Sequence, residues 1–202
     1  MTTAWLQKWL HPLTRMLFDD GVRAVHVTLC AGLISVAVGV LVAAFAFHLW
    51  IFALIPIWIV IRLIFGAIET QLVSEFGQSS RAATCARELS RVVAETALAL
   101  PFSVVPKISL LLVLLVAWLS ILSEFAGLLG PLIKASRRHE GPLPGSVRLL
   151  IFAVFGTALA LGYLPTAAIN IVLAIMAVLL VITIGRRIRH ALREVTRPAP
   201  TP

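Results

Sequence analysis

The chain has 202 residues, 60% of them hydrophobic and 13% charged, with mean hydropathy +1.01 and a formal net charge of +8. A water-soluble domain carries roughly 25% charged residues, so a soluble core is excluded, and the apolar runs are continuous rather than alternating, which excludes an outer-membrane barrel. The cations gather at the ends of the apolar runs, which is the membrane-topology pattern, so the positive balance is not read as a nucleic-acid footprint.

Residues 1–20 read as an amphipathic helix lying in the membrane interface. Trp5, Leu6, Trp9, Leu10, Leu13, Met16 and Leu17 share one face, while Gln7, Lys8, His11 and Arg15 fall elsewhere. Pro12 is expected to kink it. The stretch has no continuous apolar core and no small-residue cleavage site, so it is not a signal peptide. Residues 21–190 then read as one six-helix membrane domain. Its segments are placed at about Val25–Phe47, Trp50–Val73, Ala82–Leu100, Ile108–Ile133, Val147–Leu164 and Ala167–Ile188. Residues 191–202 read as a basic, disordered tail.

Lys and Arg fix the expected orientation. Lys8, Arg15 and Arg23 precede the first segment and Arg81 joins the second to the third. Lys134, Arg137, Arg138 and Arg148 join the fourth to the fifth, and Arg186, Arg187, Arg189, Arg193 and Arg197 follow the sixth. The intervening connections hold only Lys107. This alternation predicts a multi-pass protein of the bacterial cytoplasmic membrane with both termini in the cytoplasm. Cys30 and Cys85 are too few and too far apart for a disulfide framework or metal site, and read as small apolar residues.

The most informative stretch is residues 62–97, RLIFGAIETQLVSEFGQSSRAATCARELSRVVAETA. It sets Arg62, Arg81, Arg87 and Arg91 against Glu69, Glu75, Glu88 and Glu95, a self-neutralising set where two apolar segments meet. Charges at membrane depth are costly and find partners inside the bundle. Spacing of i, i+3 lets Glu88 meet Arg91, and i, i+4 lets Arg91 meet Glu95. Glu124, inside the fourth segment, reads as a partner for an arginine or the backbone of a neighbouring helix, or else as a ligand-site residue, and Gly127 and Gly130 suit close helix packing.

Together with KWLHPLTRMLFDDGVRAVHVTLCAGLISVAVG, ILSEFAG and SRRHEGP, this block resembles the CDP-alcohol phosphatidyltransferases. That resemblance implies a six-helix membrane fold with an interfacial helix, a CDP-diacylglycerol or phospholipid ligand, a homodimer or a heterodimer with a membrane enzyme, and a place in phospholipid metabolism. The family signature, D-x2-D-G-x2-A-R-x8-G-x3-D-x3-D, supplies carboxylates at i, i+3 and i, i+4 that hold divalent ions against a diphosphate. Laid on this chain, its eight positions are Gly66, Glu69, Thr70, Val73, Ser74, Ala83, Arg87 and Arg91. None is identical, and only Glu69 keeps the acid type.

An arginine stays protonated and cannot ligate a metal. Each like-charge contact at 4 Å costs about 4 kcal/mol at an effective dielectric near 20. The expected protein is therefore a catalytically inactive relative without a metal cofactor, in which Glu69, Glu88, Arg91 and Glu95 form an ion-pair network. Three other readings stand beside it. Arg62, Arg87, Arg91, Arg137, Arg138 and Arg148 could cradle a lipid phosphate without metal. Glu69, Glu88, Glu95 and Glu124 could build a rearranged active site that uses magnesium or manganese. A small transporter would need a polar midplane cavity, for which the first, fifth and sixth segments offer almost no residues.

Overall fold

The computed structural model describes residues 3–78, 80–132, 141–163 and 166–196. These form seven α-helices: α1 (Thr3–Asp19), α2 (Ala24–Ala44), α3 (Leu54–Ser74), α4 (Arg81–Ala99), α5 (Leu110–Leu132), α6 (Gly145–Ala160) and α7 (Thr166–Thr196). Two 3-10 turns, Leu49–Ala53 and Leu100–Val104, lead into α3 and out of α4. No strand occurs among the described residues.

Among the described residues four stretches are long and apolar enough to cross a membrane: Ala24–Ala44, Leu49–Ser74, Leu110–Gly130 and Thr166–Val195. The Gly145–Ala160 helix is apolar but shorter. The fourth helix does not qualify by composition, because Arg81, Arg87, Glu88, Arg91 and Glu95 interrupt it. It is nevertheless packed along α2. A Cβ added at Gly32 would stand 2.6 Å from Ser90 Oγ, and one added at Gly39 would stand 2.2 Å from the carbonyl oxygen of Ala97. Both contacts advance by the same seven residues, so α2 and α4 run in the same direction. Small residues at this seam let the two backbones touch, as membrane helices require when lipid offers no hydrophobic drive for association.

Polar side chains tie the same helices. Ser90 Oγ donates to the carbonyl of Thr28 at 3.0 Å, and Trp58 Nε1 donates to Ser35 Oγ at 2.8 Å. Away from these contacts the core is aromatic: Phe102 lies 5.3 Å from Phe52 and 5.7 Å from Phe152, ring centre to ring centre. Asn170 of α7 closes the turn before α5 by accepting from Ser109 N–H and donating to the Lys107 carbonyl. This holds Lys107 at φ 69, a backbone conformation that L residues rarely adopt.

The first helix stays helical across Pro12. Its apolar face is shared between protein and surroundings. Leu10 and Leu17 pack on a cluster with Val27, Ile68 and Leu72, while Leu13 and Met16 remain exposed. Thr14 Oγ1 donates to Gln71 Oε1 at 2.6 Å, His11 meets Glu75 at 3.3 Å, and Phe18 stacks on Phe76.

Four boundaries depart from the sequence expectation by three residues or more: α3 starts at Leu54 and not Trp50, because the 3-10 turn intervenes, α6 ends at Ala160 and not Leu164, and the ends of α2 and α7 also move. Helix α2 stops at Ala44, three residues before Phe47, because the chain turns at Phe45 toward the 3-10 segment. Helix α7 runs on through Thr196, so residues 191–196 belong to a helix and not to a disordered tail. Nothing between Gly185 and Thr196 breaks a helix, and Ala191, Leu192, Arg193 and Glu194 favour one. Residues 197–202 lie outside the described residues.

Candidate functional site

Charged residues from each of α3 to α7 come together inside the bundle. Glu69 sits five residues before the end of α3 and accepts from Arg87 Nε of α4 at 2.6 Å. One turn further along α4, Arg91 Nη2 donates to Glu88 at 2.7 Å and to Glu124 of α5 at 2.5 Å. Glu88 and Arg91 meet within one helix, as their spacing requires.

The expected Arg91–Glu95 pair does not form. Glu95 instead receives two hydrogen bonds from Arg148 of α6, from Nε to Oε1 and from Nη2 to Oε2 at 2.8 Å. The same Nη2 donates to Glu124 Oε1 at 2.8 Å, and Nη1 donates to the Leu143 carbonyl at 3.0 Å. Arg148 has a side-chain exposure of 0% and uses most of its donors. A residue placed by sequence in a basic loop with a lipid-phosphate role is thus an internal counter-ion. The reason is that α6 begins at Gly145, which puts Arg148 in its first turn, facing α4 and α5.

Arg187 of α7 completes the group. It lies 3.6 Å from Glu124 and donates to the Ser123 carbonyl. Sequence reading assigned Arg187 to topology alone. A hint was available: a lone glutamate inside an apolar helix needs cations at its own depth, and α7 carries arginines before its end.

Arg62 takes a different role. Its Nη1 donates to the Ala31 carbonyl at 3.1 Å and Ser35 Oγ at 2.9 Å, and its Nη2 donates to the Ser90 carbonyl at 3.2 Å. It joins α2, α3 and α4 through two carbonyls and a hydroxyl, which leaves little of it for a lipid phosphate. Of the remaining signature positions, Gly66 has open space where a Cβ would stand. Thr70 and Ser74 are exposed and donate to carbonyls one turn back, Ala83 is buried, and Val73 packs with the α1 cluster. Arg137 and Arg138 lie outside the described residues. Cys30 and Cys85 are free thiols on the exposed surface of α2 and α4.

This donor set does not fit a divalent ion. Each of Glu69, Glu88, Glu95 and Glu124 already accepts from a guanidinium, so a metal would have to displace arginines and then sit beside them. Among the described residues no three His, Cys, Asp or Glu side chains are grouped to hold one. The network itself is a costly one to bury. Paired buried charges are near neutral for stability, but an orphaned member is strongly unfavourable, so each pair penalises any arrangement that separates its two helices.

Fold and charges together define a helical membrane protein whose polar interior is a lattice of arginine–glutamate pairs. No family model matches the chain. It is 34% identical over 186 residues to inner membrane protein YnbA of Escherichia coli, an alignment that covers 92% of this chain and 92% of that protein. The chain belongs to the same family as that inner membrane protein.

Proposed function

We propose that this chain is a CDP-alcohol phosphatidyltransferase-like protein of phospholipid metabolism in which ion pairing has replaced metal-dependent chemistry. Its six helices α2 to α7 form the membrane bundle, with both termini in the cytoplasm, and its role is to bind a lipid or to pair with a second copy or an active membrane enzyme. One observation carries the reading. Glu69, the only acid left at a signature position, is bonded at 2.6 Å to Arg87, the guanidinium standing where the signature calls for an aspartate. The positive charge that a metal would bring is already covalently part of α4.

The test is CMP release from CDP-diacylglycerol by the purified protein, with a panel of alcohols, in magnesium, manganese or chelator. The expected result is no release above a protein-free blank in any of the three conditions, from protein that retains its helical spectrum. Metal-dependent release that disappears in Glu69→Ala would overturn the proposal and return the chain to the active enzymes.

A further inference from the structure

Buried hydroxyls in the helices of this chain find a carbonyl. Thr28 donates to Ala24 at 2.9 Å, Ser35 to Ala31 at 2.6 Å and Thr183 to Leu179 at 2.7 Å, each one turn back, and Ser90 reaches across to Thr28. Ser120 and Ser123 of α5 do not follow this pattern. They are 5% and 0% exposed, yet neither hydroxyl has a hydrogen-bond partner. Among the described residues one further buried side-chain polar atom shares that condition, Nε of Arg91.

All three lie around the same carboxylate. Arg91 is bonded to Glu124 through Nη2 at 2.5 Å, and Nε is two covalent bonds from that nitrogen. Ser120 is one turn before Glu124 on the same face of α5, a spacing that puts Cβ atoms about 5–6 Å apart. Ser123 adjoins Glu124 in the chain. Its carbonyl accepts from Arg187, whose Nη1 stands 3.6 Å from Glu124 Oε1, beyond a direct hydrogen bond. Small residues make room here. The buried face of α5 carries Val113 and Val116 in its first half but Ser120, Ser123 and Gly127 at this level. On the other side Gly145 of α6 has no side chain, where a Cβ would stand 3.7 Å from Glu124 Oε1.

A buried polar group without a partner carries its full desolvation cost, so three of them around one carboxylate point to a small molecule held there. Its charge follows from its neighbours. Among the described residues, Glu124, its cations and their other acids are Arg91, Arg148 and Arg187 against Glu88, Glu95 and Glu124, three of each sign, so an ion gains no net attraction. Its hydrogen bonding follows too. Nε only donates, the carboxylate only accepts and the hydroxyls do either, so the ligand must do both. We infer that the bundle holds bound water at Glu124, which accepts from Arg91 Nε, satisfies the Ser120 and Ser123 hydroxyls and bridges Arg187 to the carboxylate. Buried waters make about three such bonds each. This site is independent of the proposed function and stands whether or not catalysis has been lost.

The experiment uses the full chain in an uncharged detergent. A short X-ray pulse splits water where it is held, and mass spectrometry reads which side chains the resulting hydroxyl radicals modify. Leu143 is 2% exposed, and its carbonyl is bonded to the same Arg148 that meets Glu124, whereas Phe102 is 0% exposed in the aromatic core. The expected result is modification of Leu143, none of Phe102, and loss of the Leu143 signal in the double variant Ser120→Ala with Ser123→Ala. Unfolding in SDS then turns on a sign. Where water is bridged, each single alanine variant lowers the midpoint, because a hydrogen bond goes with the hydroxyl. Where the hydroxyl has no partner, its removal leaves the midpoint unchanged or raises it. Leu143 modified no more than Phe102, a Leu143 signal that persists in the folded double variant, or a midpoint that holds or rises in both single variants overturns the inference. Labelling of the unsubstituted chain carries the test if a variant does not fold.

Discussion

Replacing Arg148 by Met removes the most connected charge in the bundle. Methionine fills a similar volume, so the change is mainly electrostatic. Glu124 would keep Arg91 and Arg187 as partners. Glu95, by contrast, loses both of its hydrogen bonds and its ion pair while its side chain stays 5% exposed. Orphaning one member of a buried pair costs about 3–5 kcal/mol. Removing the carboxylate as well, in Arg148→Met with Glu95→Gln, should return most of that loss, because a neutral amide tolerates the site far better than an unpaired charge. The assay is reversible unfolding in mixed detergent micelles with increasing SDS, followed by helical circular dichroism. If Arg148→Met alone stays within about 1 kcal/mol of wild type, the pair is not enclosed as described and the reasoning fails. A double variant no more stable than the single one would likewise refute it.

Two glycines of opposite environment make a matched test. Gly39→Ala drives a methyl to 2.2 Å from the Ala97 carbonyl oxygen and should destabilise by at least about 1–3 kcal/mol in the same SDS titration, by parting α2 from α4. Gly66→Ala meets nothing and should be neutral or gain about 0.5–1 kcal/mol from helix propensity. Gln78 accepts from the Ala24 N–H at 2.7 Å and donates to the Val22 carbonyl at 3.3 Å, satisfying an end of α2 from a distance. Gln78→Ala should cost about 0.5–2 kcal/mol and speed amide hydrogen exchange in the first turn of α2, with α5 unaffected.

What the sequence by itself determined is local. Runs of about 20 apolar residues specify helices able to cross a membrane, because an unpaired peptide group in hydrocarbon is too costly for any other spanning shape. Spacing on one helix specified the Glu88–Arg91 contact, and the end of α4 before Pro101 followed from proline's missing N–H. The partners across helices were decided only in three dimensions. Arg91 has Glu95 one turn away on its own helix, yet it meets Glu124, while Glu95 meets Arg148, 53 residues further along. Which of these wins depends on the rotation and register of α4 against α5 and α6. Packing at Gly32 and Gly39 sets where α4 lies and how deep, and no periodicity within one helix encodes it. The same is true of Arg148: its charge is plain in the sequence, but whether it faces the cytoplasm or two buried glutamates depends on where α6 begins and what it packs against.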